Sequence, residues 1–152
     1  MIMIPARAML ALVLSVLIAV GVSSPASAQT TFRVTLAPEV LGDAPVVAGR
    51  LVVAVAHEQA KLPRRTSPLE APFWDDPQPI FGVTVNVKPG EAVIVDDTAT
   101  FFASKPSLLK PGKYRAAARL VANQATSKWR SDAGNAYSAV VEFVVPEPPG
   151  AG

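Results

Sequence analysis

Apolar and polar residues alternate with a period of two along most of this chain, and that pattern predicts strands. Phe32, Val34 and Leu36 alternate with Thr31, Arg33 and Thr35, the signature of a half-buried strand. Leu51-Val52-Val53-Ala54-Val55-Ala56 is apolar at every position and predicts a central strand covered on both faces. Ile80 to Val87 puts Phe81, Val83, Val85 and Val87 on one face, with Gly82, Thr84 and Asn86 on the other. After the turn Lys88-Pro89-Gly90-Glu91, Ala92 to Val95 leaves as a further short strand. Tyr114, Ala116, Ala118, Leu120 and Ala122 alternate with Arg115, Ala117, Arg119 and Val121. A last strand over Tyr137 to Val145 places Tyr137, Ala139, Val141, Phe143 and Val145 together. Beyond residue 28 no long stretch has a helical period; a short turn is expected around Pro106 to Leu109.

Leu109-Lys110-Pro111-Gly112-Lys113-Tyr114 stands directly before one of these strands. Pro111 and Gly112 turn the chain, and a tyrosine two residues later can fold its hydroxyl back onto an upstream backbone group. That is a tyrosine corner, a device of Greek-key sandwiches. The same residues also fit an ordinary Pro-Gly turn ahead of a core tyrosine. Strands separated by Gly/Pro turns predict an all-β fold, an antiparallel immunoglobulin-like β-sandwich of about six to seven strands. Antibody domains carry a cysteine two residues after the tyrosine; here that position is Ala116.

The chain start has a different pattern. Arg7 precedes an uncharged small and apolar run from Ala8 to Val22, then Ser23-Ser24-Pro25 and Ala26-Ser27-Ala28. Charged start, apolar middle and Ala-x-Ala ending predict a secretory signal over 1–28, cleaved before Gln29. The alternative is a membrane anchor, but the apolar run is about 15 residues against the roughly 20 that span a bilayer. A secreted or periplasmic location follows, with no stable membrane insertion after cleavage. The expected mature chain of about 124 residues has the size of one domain, residues 29–145, and Pro146 to Gly152 reads as a disordered tail or linker stub.

Composition then narrows the function. There is no cysteine, which removes disulfides and thiol chemistry. The formal charge of +2 gives no reason to invoke nucleic acid. His57 is the one histidine, no Gly-x-Ser-x-Gly occurs, and a lone histidine at a strand end more often packs than catalyses. No catalytic, cofactor or metal residue is therefore assigned. Asp75-Asp76 and Asp96-Asp97 are hard oxygen donors suited to calcium, and equally common turn formers.

Two connections are longer than turns require. Glu58 to Gln78 carries Arg64, Arg65 and Trp74; Asn123 to Asn135 carries Trp129 and Arg130. In an immunoglobulin-like topology these are loops of the same end, so Trp74 and Trp129 are expected to approach one another as an aromatic patch rimmed by Arg64, Arg65 and Arg130. Such tryptophans either anchor a ligand or close the end of the sandwich as packing.

The order of segments carries a resemblance. Phe32-Arg-Val-Thr-Leu-Ala-Pro-Glu-Val40, Gly49-Arg-Leu-Val-Val53, Pro79-Ile-Phe-Gly-Val83, Lys88-Pro-Gly-Glu91, Val95-Asp-Asp97, Leu109-x-Pro-Gly-x-Tyr114 and Gly134-Asn-Ala-Tyr-Ser138 follow one another. Together they resemble the N-terminal β-sandwich domain of exported bacterial enterochelin-esterase-like proteins. The chain stops where their α/β-hydrolase domain begins, so the resemblance implies an accessory domain without the esterase residues. The expected function is a non-catalytic exported interaction or accessory domain. Its expected partner is a protein, such as a separately encoded hydrolase, or an envelope polymer. The alternative is a carbohydrate-binding module using the loop tryptophans.

Overall fold

The computed structural model describes residues 11–19, 29–37, 46–72, 74–88, 90–122, 135–148 and 150, the first of these segments as backbone alone. Nine strands are present among them: β1 (Ala11–Ala19), β2 (Gln29–Leu36), β3 (Val47–His57), β4 (Ile80–Val87), β5 (Ala92–Val95), β6 (Thr100–Phe102), β7 (Gly112–Val121), β8 (Ala136–Ser138) and β9 (Val141–Val145). Short 3-10 turns cover Pro68–Glu70 and Pro106–Leu108, the second where the sequence places one.

The protein is an all-β sandwich. β2 and β5 pair antiparallel as one small sheet. β6, β4, β3 and β7 run side by side as the larger sheet, whose far side is completed by β8 and β9, both pairing with β7. β1 lies between the two, antiparallel to β2 and parallel to β8. The stretch read as a leader is thus an element of the sheet.

The two layers meet through phenylalanines. Phe32 of β2 stacks on Phe81 of β4 with centroids 5.5 Å apart and meets Phe143 of β9 edge-on at 5.7 Å. Around them Val34, Leu36, Leu51, Val53, Val55, Val95 and Leu120 complete one buried cluster. The alternation in β2 and β4 maps onto this core as the pattern predicts: Phe32, Val34 and Leu36 are buried, and Phe81, Val85 and Val87 with them.

The last strand departs from the expectation. It is two strands, because one extra residue lies between the Arg119↔Tyr137 and Ala116↔Val141 pairs. Such a bulge reverses the face on which side chains emerge. Phe143 and Val145 point inward, whereas Tyr137 and Ala139 are exposed and Ala136 and Ser138 are buried instead. Ser138 repairs the interrupted ladder. Its hydroxyl accepts the Ala118 amide at 2.9 Å and donates to the Ala139 carbonyl at 2.8 Å. β6 was not anticipated; its three residues are exposed and form an outer edge beside β4.

Candidate functional site

The connection from β3 to β4 forms a strap over the outer face of the large sheet. On that face β3 offers Ala54 and Ala56, and β7 offers Ala117 and Arg115, in the register Ala54↔Ala117 and Ala56↔Arg115. The three alanines are small enough for backbone to lie close, and all three are buried. The turn Pro68–Glu70 packs on β3 and β7, with Pro68 buried and the Ser67 hydroxyl accepting the Leu69 amide at 3.3 Å. This is the cover that the all-apolar stretch of β3 predicts.

Arg115 clasps the strap. Its guanidinium donates to the carbonyls of Leu62 at 3.3 Å, Pro63 at 3.2 Å, Arg64 and Thr66 at 3.0 Å. One planar group with five N–H donors can satisfy several carbonyls of one loop; a lysine ammonium lacks that fork. At the other arm of the strap, the Lys61 amide donates to Asp76 Oδ2 at 2.9 Å, and the Lys61 ammonium pairs with Asp75 at 3.2 Å. That ion pair is largely exposed and adds position more than stability. Gln78 closes the strap, taking the His57 amide at 3.1 Å and donating to the Asp76 carbonyl at 3.0 Å.

His57 belongs to this anchoring. Its Nδ1 accepts the Gln59 amide at 3.2 Å, which assigns the proton to Nε2, 3.4 Å from the Pro111 carbonyl. The ring meets Tyr114 edge-on with centroids 4.8 Å apart. Tyr114 makes the corner: its hydroxyl donates to the Lys110 carbonyl at 2.9 Å, and its ring stacks on Phe143 at 5.3 Å. Burial raises the Tyr114 hydroxyl above its ordinary value. Gly112 has φ +137°, and a Cβ there would lie 2.4 Å from His57 Nε2. Pro111 and Gly112 therefore act as the corner requires.

On this scaffold the candidate side chains stand outward. Trp74 is 85% exposed, and Arg64 and Arg65 are exposed on the arm held by Arg115. A cleft of about 480 Å³ separates the strap from the chain before β7, lined by His57, Gln59, Asp76, Gln78, Leu108 and Lys110 among others. A second, of about 400 Å³, lies between the strap and β7–β9, with Arg64, Lys113, Arg115, Glu58 and Glu142 in its lining. Leu108 at 67% exposed and Phe101 at 52% add apolar surface that the sequence reading missed. Lys105 lies over the Phe101 ring, 5.6 Å from its centroid.

The two-loop patch is corrected by the register. β3 and β7 are antiparallel neighbours, with His57↔Tyr114 at one end and Arg50↔Val121 at the other. The connection after His57 and the connection after Val121 therefore leave opposite ends of the sandwich, roughly 23 Å apart at strand spacing. The second connection is tied at its base by Asn135 Oδ1, which accepts the Ala122 amide at 2.9 Å. Trp129 and Arg130 lie outside the described residues. The shared end expected of an immunoglobulin-like loop order does not form here, because β3 and β7 pair as antiparallel neighbours within one sheet.

The aspartate pairs are turn and strap residues in this structure. Asp96 accepts the Thr98 amide at 2.9 Å and the Thr98 hydroxyl at 2.6 Å, which holds its carboxyl below the usual value. Asp97 accepts the Ser107 amide at 2.9 Å and the Ser107 hydroxyl, pinning the Pro106–Leu108 turn. Among the described residues no group of three or more His, Asp or Glu side chains converges as a metal site would require. Compared with family models, curated proteins and solved structures, the chain matches none of them.

Proposed function

We propose that this chain is an exported, non-catalytic interaction domain, and that the strap is its recognition surface. The carrying observation is Trp74, 85% exposed on a segment fixed by Arg115, Lys61 and Gln78. Exposed tryptophan is costly surface for a monomer to maintain, and aromatic and Arg side chains carry most interface energy. Fixing the loop beforehand reduces the ordering entropy lost on binding. Arg64 and Arg65, exposed on the same strap, favour an acidic or hydrogen-bond-accepting partner surface.

In this reading residues 1–28 are a leader removed before Gln29, the first residue of β2, and the mature domain is secreted or periplasmic. The partner is a protein, with a separately encoded hydrolase as the form suggested by the resemblance to enterochelin-esterase-like proteins. A second reading rests on the same indole: stacking of Trp74 on a sugar ring would make the domain a carbohydrate-binding module.

Titration of the exported protein separates the two readings. Soluble envelope polysaccharide should leave tryptophan emission unchanged if the partner is a protein. A saturable shift abolished by Trp74→Ala would replace the first reading with the second. For a protein partner, Trp74→Ala is expected to weaken binding by at least ten-fold, with the folded state retained because the side chain lies outside the core. Undiminished binding by that variant would remove the strap as the surface.

A further inference from the structure

Resting on the export reading just given, we infer that the mature domain carries an open strand slot between β2 and β8, which takes an extended apolar segment of a protein partner. In the structure that slot is filled by β1. All eight residues of β2 pair with it, from Ala19↔Gln29 to Leu12↔Leu36, and its other edge pairs with β8 at Ala11↔Tyr137 and Leu12↔Ser138. Every residue of β1 lies within the leader expected to be lost on cleavage before Gln29.

Removing β1 exposes one full edge of β2. Its far edge stays paired to β5 over Phe32 to Thr35. The freed edge is long for an unprotected one, and β2 has few of the devices that blunt edges: no proline, no lysine, and Arg33 as its single charge. It also borders the core, since Thr30, Phe32, Val34 and Leu36 are all almost completely buried. Such an edge favours pairing with another strand, and the register specifies that strand. Leu12, Leu14, Val16 and Ile18 stand opposite Leu36, Val34, Phe32 and Thr30. Alternate apolar residues over roughly eight positions, antiparallel to β2, are what an occupant must supply.

The mature chain offers no such strand among its described residues. An occupant inserted between β2 and β8 needs both edges available, and each of β2 to β9 already pairs along one edge at least. The occupant we assign is a partner's segment, adding a strand with its backbone while alternate side chains fill the core face.

The test uses the protein purified after export, with its N-terminus read by intact mass. The probe is a fluorescent peptide of residues 11–19 carrying a C-terminal tri-lysine tag; the control peptide carries Leu14→Asp and Val16→Asp. For a protein beginning at Gln29, saturable one-to-one binding of the probe is expected, weakened at least ten-fold in the control. Hydrogen exchange should show the amides of Thr31 to Leu36 on the edge that β1 covers protected only on addition of the probe, with those directed at β5 protected throughout. Equal binding of both peptides, or none, overturns the slot. So does protection of both β2 edges before the probe is added, which would mean that β2 and β8 close together, and so does a dimer that excludes the probe. A mass that retains residues 11–19 overturns the export reading instead, and with it the vacancy on which the slot depends.

Discussion

The two sheets of this sandwich use similar residues and are completed in different ways. In the large sheet β3 and β7 are paired on both edges and covered on both faces, by the phenylalanine core within and the strap outside. The small sheet pairs β2 with β5 over four residues, and its remaining edge depends on β1. One face of β2 is buried, and its alternate residues are wetter. Pairing, core and strap together complete the first sheet, while the second is held by its apolar face and by β1 along the edge of β2. A two-stranded ribbon has little stability of its own in water. Regions with this difference in support should differ in local unfolding free energy.

The largest expected effect breaks that comparison directly. Phe32→Ala removes the ring that joins the sheets and should cost about 3–5 kcal/mol. Measured by urea unfolding with native-state hydrogen exchange, protection should fall first in β2 and β5 and survive longer in β3 and β7. Uniform loss through all strands would show one cooperative unit and dissolve the distinction.

Gly112→Ala attacks the well-supported sheet at its corner. The positive φ and the His57 ring both oppose a methyl group there, and backbone strain alone is worth about 1–3 kcal/mol. The loss should appear in the unfolding of β7 and in freer exchange of the Gln59 amide, which His57 Nδ1 holds. An unchanged urea midpoint would mean that the corner relaxes without cost.

Tyr114→Phe is the smallest of the three, roughly 1–2 kcal/mol, because it leaves the stacking on Phe143 and deletes one buried hydroxyl bond to the Lys110 carbonyl. It also sharpens the comparison through pH. The folded-state value of Tyr114 is raised by burial, so its contribution is fully present below the unfolded value near 10 and is lost as pH rises through the higher folded value. The difference in urea midpoint between Tyr114→Phe and the parent should therefore shrink above about pH 10. A constant difference across that range would separate the hydroxyl from the alkaline loss of stability.

Much of the architecture is legible in the residues themselves. The alternation of β2 and β4, the doubly apolar β3 and the Pro111-Gly112-Lys113-Tyr114 corner each follow from local rules of spacing, and each takes its expected place. The bulge after Ser138 was not legible, because one inserted residue leaves every local preference intact and alters only which face the strand presents. Arg115 was equally hidden. In the sequence it matches Arg119, two outward positions of one strand, and only the strap arriving above it makes one of them a clasp.

The candidate site divides in the same way. Its residues were visible: Trp74, Arg64 and Arg65 lie in a long Pro-rich connection and stand exposed. Its assembly was not, since whether two loops share an end depends on which strands are neighbours, and neighbours are chosen by non-local pairing. By itself the sequence determined the strand periods, the corner and the residues available for contact, because these depend on a few adjacent positions and on the intrinsic geometry of glycine, proline and alternating side chains. The tertiary structure decided the ends from which the loops leave, the face on which the strap lies and the place of β1 between the sheets. Those are set by hydrogen bonds and burial between segments tens of residues apart, which no local pattern encodes.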